Sequence, residues 1–526
     1  MGKLVQVQGP DMLTTQNFFT GCALSLFICA SAFAQTPDTL NLRQLRQALD
    51  EGQITSEQLV KFYQDKIQRN NRQGDHLNAV ISLNEDALEQ ARNWDTQRAK
   101  EPGVKHGALA GIPYLAKDNI DTQMIPTSGG SWVLRDSTPS RDAFVIERLQ
   151  SGGAILLGKT NLSELAASYG WLGYSSLGGQ TLNPHNLKHD ASGSSSGSAA
   201  AVAAGFAPFA LGSDTSGSIR APASVTGTVG LRPSLGLISR SGVIPLSLTF
   251  DTAGVITRTV LDQAIVLDVI KGSDKADAAT ANVDSAAMNF VEGLEQSSLK
   301  GRTLGVVTNF IGANAQVDAV FEAAQQRVAE KGAKLVRVVL PKRYEELWAG
   351  VLGPVGDAEF SSQFERYLST LNARQPKTLA EFVKLSEQHQ QEQQGHLMNP
   401  KRLAALKELS EKSETDSPLY ISILSNTIPS LRTELAAVMR QAGVDALLFP
   451  TINCPASVVN GQSDPDYVCE TADTYASAYI ASATGFPEIS VPAGIVKGNL
   501  PVGISFLGWY GEDEDIVRIA YAFLGK

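Results

Sequence analysis

Hydrophobic and polar residues follow two different periods along this chain. Residues 40–71 and 84–100 carry apolar side chains at three- and four-residue intervals with charges between them, which predicts amphipathic helices. From Leu109 onward the pattern changes to short apolar runs bounded by Gly or Pro, such as GIPYLA, GAILLG, FAPFALG and GTVGLRP. Helical segments such as RDAFVIERLQ separate these runs. The alternation predicts an α/β sheet with helices on its faces.

A second alternation follows, in which GRTLGVV and AKLVRVVLP have strand patterns and AQVDAVFEAAQQRVAEKG has a helical one. Residues 344–432 are polar and helical. We expect them to form an excursion over the sheet, either as a wall of a substrate cleft or as solvated helices without a ligand role. Strand patterns return in DALLFPT, EISVPAG and PVGISFLG. No repeat or long linker divides the chain, which predicts one α/β domain.

Composition narrows the classes of function. A chain of 526 residues with 43% hydrophobic residues can bury a large core. Its net charge of −10 and lack of a basic run argue against nucleic acid as a partner. We expect no metal and no organic cofactor, and neither a His-Glu-x-x-His nor a Cys-x-x-Cys pair occurs that could hold one. The oligomeric state cannot be read from it.

The N-terminal segment has the pattern of a signal peptide. No charged residue occurs between Met12 and Pro37, and the apolar run CALSLFICASAFA ends in a small-x-small triplet. We therefore expect residues 1–34 to be a signal peptide cleaved after Ala34, which predicts a periplasmic or secreted protein without stable membrane association. An uncleaved anchor is the alternative, although the apolar run is short for a span of ~20 residues.

Removal of that segment leaves two cysteines, Cys454 and Cys469, which are 15 positions apart. In a chain exported to an oxidising compartment this favours a disulfide between them. The alternative is two unpaired, buried thiols.

Two clusters of serines lie between residues 190 and 220, in DASGSSSGSAAAVAAGFAPFALGSDTSGSIR. The small-residue helix SAAAVAAG and the short strand FAPFALG separate them, so this is not a flexible linker. Ser218 follows the strand in a turn, where backbone N–H groups can hold the oxygen of a tetrahedral intermediate. Lys117 ends another apolar run, and its burial would lower its pKa enough for it to activate a serine.

Two other motifs occur in the wrong structural context. GAILLGKT, residues 153–160, has the spacing of a phosphate-binding loop, but its middle residues have a strand pattern. GSSSG, residues 193–197, has the spacing of a nucleophile elbow with Ser195 as nucleophile. Polar residues precede it, and the downstream histidines, His389 and His396, lie in a Gln-rich helix. A Ser-His-Asp α/β-hydrolase is nevertheless the alternative from another class.

Seven ordered blocks resemble the amidase signature family of serine amidohydrolases: GIPYLAKDNID, GAILLGKTNLSEL, GGQTLNP, SGSSSGSAAAVAAG, LGSDTSGSIRAPAS, GTVGLRPSLGLISRSGVIPLS and TFDTAGVITRTV. The resemblance runs from about Leu40 to the C-terminus, and within the family it is greatest to secreted bacterial peptide amidases. It implies a single domain over residues 35–526, with a central mixed β-sheet flanked by helices on both faces. The implied catalytic core covers about 105–265.

The resemblance also implies a Ser-Ser-Lys triad that hydrolyses a small-molecule or peptide amide. The matching positions are Lys117, Ser194 and Ser218, with Ser194 in a cis peptide bond. The separation of 24 residues between Ser194 and Ser218 agrees with the spacing of the family, and the resemblance therefore implies Ser194 rather than Ser195 or Ser196. The implied oxyanion donors are the backbone N–H groups of Thr215, Ser216, Gly217 and Ser218. The alternative within the family is the glutamine-hydrolysing subunit of a tRNA-dependent amidotransferase, against which the signal-like N-terminus argues.

Several residues near the triad depart from the family pattern or have an open role. Ser192 and Ser196 stand where Gly is frequent, and Ser216 stands where Gly often precedes the nucleophile. A positive φ at Ser216 would strain its backbone. Asp214 and Arg220 flank the nucleophile turn. They either pair to brace that turn, or Arg220 binds a carboxylate on the substrate.

Overall fold

The structure, a computed structural model, describes residues 36–412 and 414–525. The predicted signal peptide at residues 1–34 lies outside the described residues. The described chain forms one compact unit. Its strands are β1 (Val80–Leu83), β2 (Pro113–Lys117), β3 (Ile155–Thr160), β4 (Tyr174–Ser175), β5 (Gly179–Gln180), β6 (Leu182–Asn183), β7 (Asn186–Asp190), β8 (Phe209–Asp214), β9 (Val229–Arg232), β10 (Thr252–Thr257), β11 (Thr303–Val307), β12 (Lys334–Val338), β13 (Ala446–Pro450), β14 (Glu488–Val496) and β15 (Leu500–Leu507).

The α-helices connect and cover these strands. They are α1 (Leu42–Asp50), α2 (Ser56–Asn70), α3 (Ala87–Lys100), α4 (Phe144–Ser151), α5 (Ser196–Ala203), α6 (Arg220–Thr226), α7 (Val260–Ile270), α8 (Ala315–Glu330), α9 (Gly353–Thr370), α10 (Leu379–Glu392), α11 (Pro400–Glu411), α12 (Pro418–Ser422), α13 (Ile428–Ala442), α14 (Tyr479–Thr484) and α15 (Asp513–Leu524). α1 and α2 each begin with a capping box, at Asn41 and Thr55, in which the cap and the third residue exchange hydrogen bonds.

Eleven strands of the described chain form one mixed sheet in the order β1-β3-β2-β8-β10-β9-β14-β15-β13-β11-β12. β2 runs parallel to β3 and β8, and β11 runs parallel to β12 and β13, whereas the central pairings are antiparallel. Helices flank the sheet on both faces. The fold class predicted from the alternation of strands and helices and from the family resemblance is confirmed.

The small-residue helix α5 packs directly against the half of the sheet that contains β2 and β8. It contacts β2, β8 and β10, and it also contacts α6. Because most residues of α5 are Gly or Ala, the helix can approach the sheet closely; a Cβ at Gly197 would lie 2.4 Å from the carbonyl oxygen of Ala79, the residue before β1. This close packing fixes one serine cluster relative to the other.

The excursion expected at residues 344–432 consists of helices α9 to α12, the first part of α13 and two π-helical turns, Trp348–Leu352 and Ile423–Thr427. Its apolar side chains pack in two buried clusters. One cluster includes Phe360 and Phe364, and the other includes Ile428 and Leu431. The segment is therefore integrated into the core.

A disulfide bears on the compartment expected from the sequence. Cys454 and Cys469 are joined in a disulfide, which is the pairing that the sequence favours. None of the helices in residues 36–412 and 414–525 combines the length and hydropathy needed to cross a membrane.

Candidate active site

Two parallel strands bring Lys117 and Ser213 to the same edge of the sheet. β2 and β8 are neighbours in register at Ala116 and Leu211. Parallel strands present their C-terminal ends at one edge, which is where ligand sites of α/β sheets form. Lys117 is the last residue of β2, and Ser213 is the last but one of β8. Their side chains therefore meet at this edge.

The Lys117 amine lies among three oxygen atoms. Its Nζ is 2.7 Å from Ser194 Oγ, 2.8 Å from Ser213 Oγ and 3.3 Å from the Ser213 carbonyl oxygen. Asn119 Nδ2 also donates to Ser213 Oγ, at 3.0 Å. A neutral amine has two N–H groups and one lone pair. When the two oxygens of Ser213 accept the N–H groups, the lone pair faces the Ser194 hydroxyl.

Because Lys117 is buried, its amine can be neutral near pH 7. Lys117 is fully buried, and this lowers its pKa to about 7, although the negative charges of Asp214 and Asp251 act to raise it. An ordinary lysine with a pKa near 10.5 would be almost entirely protonated at pH 7. The amine of Lys117 can therefore act as a base where an exposed lysine cannot.

The segment that carries Ser194 is tied to its neighbours through the backbone. The Gly193–Ser194 peptide bond is cis, as the resemblance implies. The Ser163 N–H donates to the Ser194 carbonyl and the Ser195 N–H donates to the Ser218 carbonyl, both at 3.1 Å. The second of these bonds joins the two serine clusters directly.

Ser194 and Ser218 line the same cavity, which has a volume of about 500 Å³. Within the described part of the chain, no hydrogen bond joins the two hydroxyls, whereas Ser194 is bonded to Lys117. Catalytic hydrogen bonds often close only when substrate binds. The structure thus brings together all three residues that the sequence singled out, with one contact of the relay still open.

The predicted oxyanion donors divide into two groups. Thr215, Ser216 and Ser218 line the cavity, but the Gly217 N–H donates to Asp214 Oδ1 at 2.9 Å. The prediction that Gly217 is an oxyanion donor is therefore wrong, because its N–H is already bonded to the Asp214 carboxylate. The positive φ of this turn lies at Gly217, at 109°, and not at Ser216. In the first cluster Ser192 carries the positive φ, at 59°.

A buried ion cluster holds the nucleophile turn. Arg220 donates to both carboxylate oxygens of Asp214, at 3.0 and 2.9 Å, and to Glu488 at 2.5 Å, while Arg232 donates to Asp214 at 3.0 Å. Asp214 also accepts the Ile219 N–H at 3.0 Å. Burial alone would raise the pKa of Asp214, but the two guanidinium groups hold it well below its usual value. Arg220 is thus a brace and is fully occupied by protein groups.

Replacing Arg220 with methionine is expected to destabilise the protein by about 3–5 kcal/mol, because buried Glu488 would lose its ion-pair partner and Asp214 would keep only Arg232 of its two. Urea unfolding at pH 7 measures the change. Lys497→Met is the matched control, since the Lys497–Asp466 pair is 62% and 54% exposed and should contribute little. Similar small losses in both variants would contradict the brace.

The helical excursion forms one wall of the cavity, which decides between the two roles considered for it. Its contributions to the lining are Trp348, Leu352, Gly353, Gly356, Asp357, Phe360, Arg402 and Leu409. The rest of the lining includes the apolar and aromatic residues Tyr169, Leu172, Phe250, Tyr475 and Tyr479. The cavity is therefore largely aromatic and apolar around a few polar groups, as in most ligand sites.

The geometry excludes the competing serine hydrolase. Ser195 is fully buried and donates to the Ser213 carbonyl at 3.1 Å, so it does not face the cavity. His389 is bonded to the Gln394 carbonyl and stacks on Trp132. Among the described residues no histidine lines the cavity. That alternative is wrong, because its nucleophile and its base are both absent from the site.

The phosphate-loop spacing in residues 153–160 is coincidental, as the strand pattern indicates. Residues from Ile155 onward form β3, and Lys159 is buried with its amine bonded to the Ile120 carbonyl at 2.8 Å and Thr127 Oγ1 at 2.7 Å. Its charge is offset by Asp118, 3.3 Å away. Lys159 supports the loop after β2 and has no exposed anion site.

Comparison with known proteins places the chain in a family. The sequence profile of the amidase family matches residues 58–517. The chain belongs to the amidase signature family. It is 34% identical to the peptide amidase from Stenotrophomonas maltophilia, with a TM-score of 0.82 over 92% of this chain and 96% of that one. It is also 28% identical to a glutamyl-tRNA(Gln) amidotransferase component from Thermotoga maritima, with a TM-score of 0.70 over 92% and 94%.

Among curated sequences, the chain is 32% identical to the corresponding glutamyl-tRNA(Gln) amidotransferase component of Koribacter versatilis over 493 residues, 92% of this chain and 98% of that protein. The resemblance stated from the seven sequence blocks is thereby confirmed. Membership makes the protein an amide-hydrolysing enzyme of this family. Because its relatives include both peptide amidase and amidotransferase components, membership alone leaves the substrate open.

Proposed function

We propose that the protein hydrolyses a carboxylic or peptide amide through an acyl-enzyme on Ser218, with Ser194 and Lys117 as the proton relay. The observation that carries the proposal is the buried Lys117 amine, 2.7 Å from Ser194 Oγ and beside the cavity that Ser218 lines. A lysine of lowered pKa at a serine in a cleft is a typical arrangement for nucleophile activation.

In the acylation step, Ser218 Oγ attacks the amide carbonyl carbon. Its proton passes to Ser194 Oγ, whose own proton passes to the Lys117 amine. In this proposal the backbone N–H groups of Thr215, Ser216 and Ser218, residues that line the cavity, bind the resulting oxyanion. When the C–N bond breaks, Ser194 gives its proton to the leaving nitrogen and recovers one from Lys117. Water then attacks the acyl-serine by the same relay and releases the acid.

Arg402 indicates that the acyl part of the substrate carries a hydrogen-bond acceptor. Its side chain is 1% exposed, it lines the cavity, and Nε and Nη2 have no hydrogen-bond partner among the described residues. The guanidinium lies over the rings of Tyr169 and Phe360, at 5.3 and 4.8 Å. Unpaired buried donors favour a ligand that supplies acceptors. A peptide carbonyl or a carboxylate meets that need, and a purely aliphatic amide does not.

Arg402→Met is expected to raise KM for a C-terminal peptide amide by about 10- to 100-fold, since a hydrogen bond from a charged donor is lost. An aliphatic amide of similar length is the internal control, and its KM should change by less than about twofold because it makes no such bond. Steady-state ammonia release at pH 8 gives both constants. Equal changes for the two substrates would remove Arg402 from substrate recognition.

The substrate class is tested by ammonia or amine release from four amides, each assayed with the purified protein. They are a C-terminal peptide amide, a short aliphatic amide, an aryl acylamide and free glutamine. We expect the peptide amide to give the highest kcat/KM. Glutamine as the best substrate would instead favour the amidotransferase activity named for several relatives, and Arg402 would suit its carboxylate equally well.

The proposed location is the periplasm or the cell exterior. The Cys454–Cys469 disulfide supports it, since such bonds persist in oxidising compartments. Fractionation of the native host, with detection by antibody, tests the location. Recovery of the protein with the cytosolic fraction would contradict it.

A further inference from the structure

Tyr475 is distant in sequence from the proposed triad, but its side chain contacts the segment that carries Ser194. Its hydroxyl donates to the Gly193 carbonyl at 3.4 Å and is hydrogen-bonded to the Ser192 hydroxyl. Either hydroxyl can be the donor in the second bond. The Gly193 carbonyl belongs to the peptide group that leads into Ser194. Tyr475 therefore holds the backbone immediately before the proposed relay serine.

The same side chain also reaches the nucleophile turn. A Cβ placed on Gly217 would lie 3.2 Å from Tyr475 Cδ1 and 3.0 Å from the Ala478 Cβ, so the ring is in contact with the backbone next to Ser218. Tyr475 thus lies between the two serine-bearing segments, one contacted by its hydroxyl and the other by its ring.

The contact with Ser192 occurs where the backbone needs support. Ser192 has a φ of 59°, in the left-handed region that disfavours residues with a Cβ. Such a conformation costs on the order of 1–3 kcal/mol and persists only where neighbours enforce it. Two groups do so here, because Asp190 Oδ1 accepts the Ser192 N–H at 2.8 Å and Tyr475 binds the Ser192 hydroxyl.

Tyr475 is itself held in place from its own segment. Its N–H donates to Asp473 Oδ1 at 2.9 Å, and the preceding carbonyl, of Thr474, accepts the Asn453 N–H at 2.9 Å. Tyr479, the next aromatic residue of the cavity lining, donates to the same Asp473 oxygen at 3.2 Å and, within the described chain, makes no hydrogen bond to residues 192–194. The two tyrosines share a location but differ in what their hydroxyls bind.

We propose that Tyr475 is a positioning residue for the relay: its hydroxyl fixes the Ser192–Gly193 segment so that the Ser194 hydroxyl stays between the Lys117 amine and the nucleophile. This inference rests on the proposed function, because it assigns Ser194 the transfer of protons. Loss of the hydroxyl leaves the ring in the cavity wall, so it should affect kcat much more than KM.

The chemistry of the leaving group gives a second readout. An amide releases an amine, which must receive a proton from Ser194 as the C–N bond breaks, whereas a 4-nitrophenyl ester releases a stable phenolate that needs none. A displaced Ser194 therefore slows amide cleavage more than ester cleavage. A general loss of folded protein would lower both rates by the same factor.

The experiment compares Tyr475→Phe with Tyr479→Phe, using 4-nitroacetanilide and 4-nitrophenyl acetate as probes. We expect Tyr475→Phe to lower kcat for the anilide by about 10- to 100-fold, as small misplacements of catalytic groups do. KM should change by less than about twofold, and the fall for the ester should be at least about threefold smaller than for the anilide. Tyr479→Phe should leave the ratio of the two rates unchanged.

Ser192→Ala and the double variant test whether the two hydroxyls act through one hydrogen bond. If they do, the double variant is no slower than the slower single variant. Ser192→Gly, which also relieves the backbone, serves if the alanine variant folds poorly. The inference is overturned if Tyr475→Phe matches Tyr479→Phe on both probes, if its effect is confined to KM, or if the two losses multiply. Failure of the proposed function would instead appear in the wild type, as turnover that Ser218→Ala does not remove.

Discussion

Replacing Ser218 with alanine is expected to reduce amide hydrolysis by at least about 10³-fold, because the substitution removes the hydroxyl that forms the acyl-enzyme in the proposed mechanism. The fold should be unaffected. Ser218 is 7% exposed. The Ser195 N–H donates to the backbone carbonyl of Ser218, and the substitution retains that carbonyl. The measurements are kcat/KM for the best amide of the panel and the midpoint of thermal unfolding.

Ser195→Ala is the matched control, since it removes a nearby hydroxyl that donates a hydrogen bond to the Ser213 carbonyl. We expect it to retain most of the activity. Mass spectrometry adds a direct test: with a slow ester substrate the acyl group should be recovered on the peptide that contains Ser218. Recovery on another serine, or full activity in Ser218→Ala, would contradict the assignment of the nucleophile.

The sequence predicts the site well where the local pattern determines the structure. Lys117 ends a buried strand, Ser218 follows another, and the two strands are parallel neighbours whose C-terminal ends share one edge. Both features follow from apolar runs that end in polar residues. The family resemblance adds the choice of Ser194 among adjacent serines, which residue pattern alone does not distinguish.

Other parts of the site depend on contacts between distant segments and leave no local signal. Arg220 is paired with Glu488, 268 positions away, so its role as a brace could not be decided from the nucleophile turn alone. Tyr475 meets Ser192 across 283 positions. The family resemblance implies that Gly217 is an oxyanion donor, but its N–H is bonded to the Asp214 carboxylate, which spacing does not reveal.

Ser213 is a residue that sequence reasoning could have found. It lies at the end of β8, beside the strand that ends in Lys117, and it accepts hydrogen bonds from the lysine through both its hydroxyl and its carbonyl. The rule that ligand sites form at the carboxyl ends of parallel strands applies to it as much as to Lys117. Its place in a serine-rich stretch hides the signal, because the serines of the following turn are the more obvious candidates.

The activity is expected to rise with pH through a midpoint near 7, because only the neutral form of Lys117 accepts the proton that Ser194 passes on. Below that pH the protonated amine blocks the relay. A profile of kcat/KM between pH 5 and 9 gives the midpoint. Lys117→Met should lose activity by at least about 10²-fold at every pH, since no base remains. Lys159→Met, which removes a second buried lysine that does not face the cavity, should keep the wild-type midpoint.

The lowered pKa of Lys117 also affects how the free energy of unfolding depends on pH. In the folded protein the pKa of Lys117 is about 7, below its ordinary value of 10.5, so between these pH values the unfolded chain binds more protons than the folded one. The contribution of this group to the free energy of unfolding therefore increases with pH across that window. Urea unfolding at pH 7 and at pH 9 should show a larger increase in wild type than in Lys117→Met. An identical increase in both, together with a midpoint of activity far from 7, would place the titrating base elsewhere.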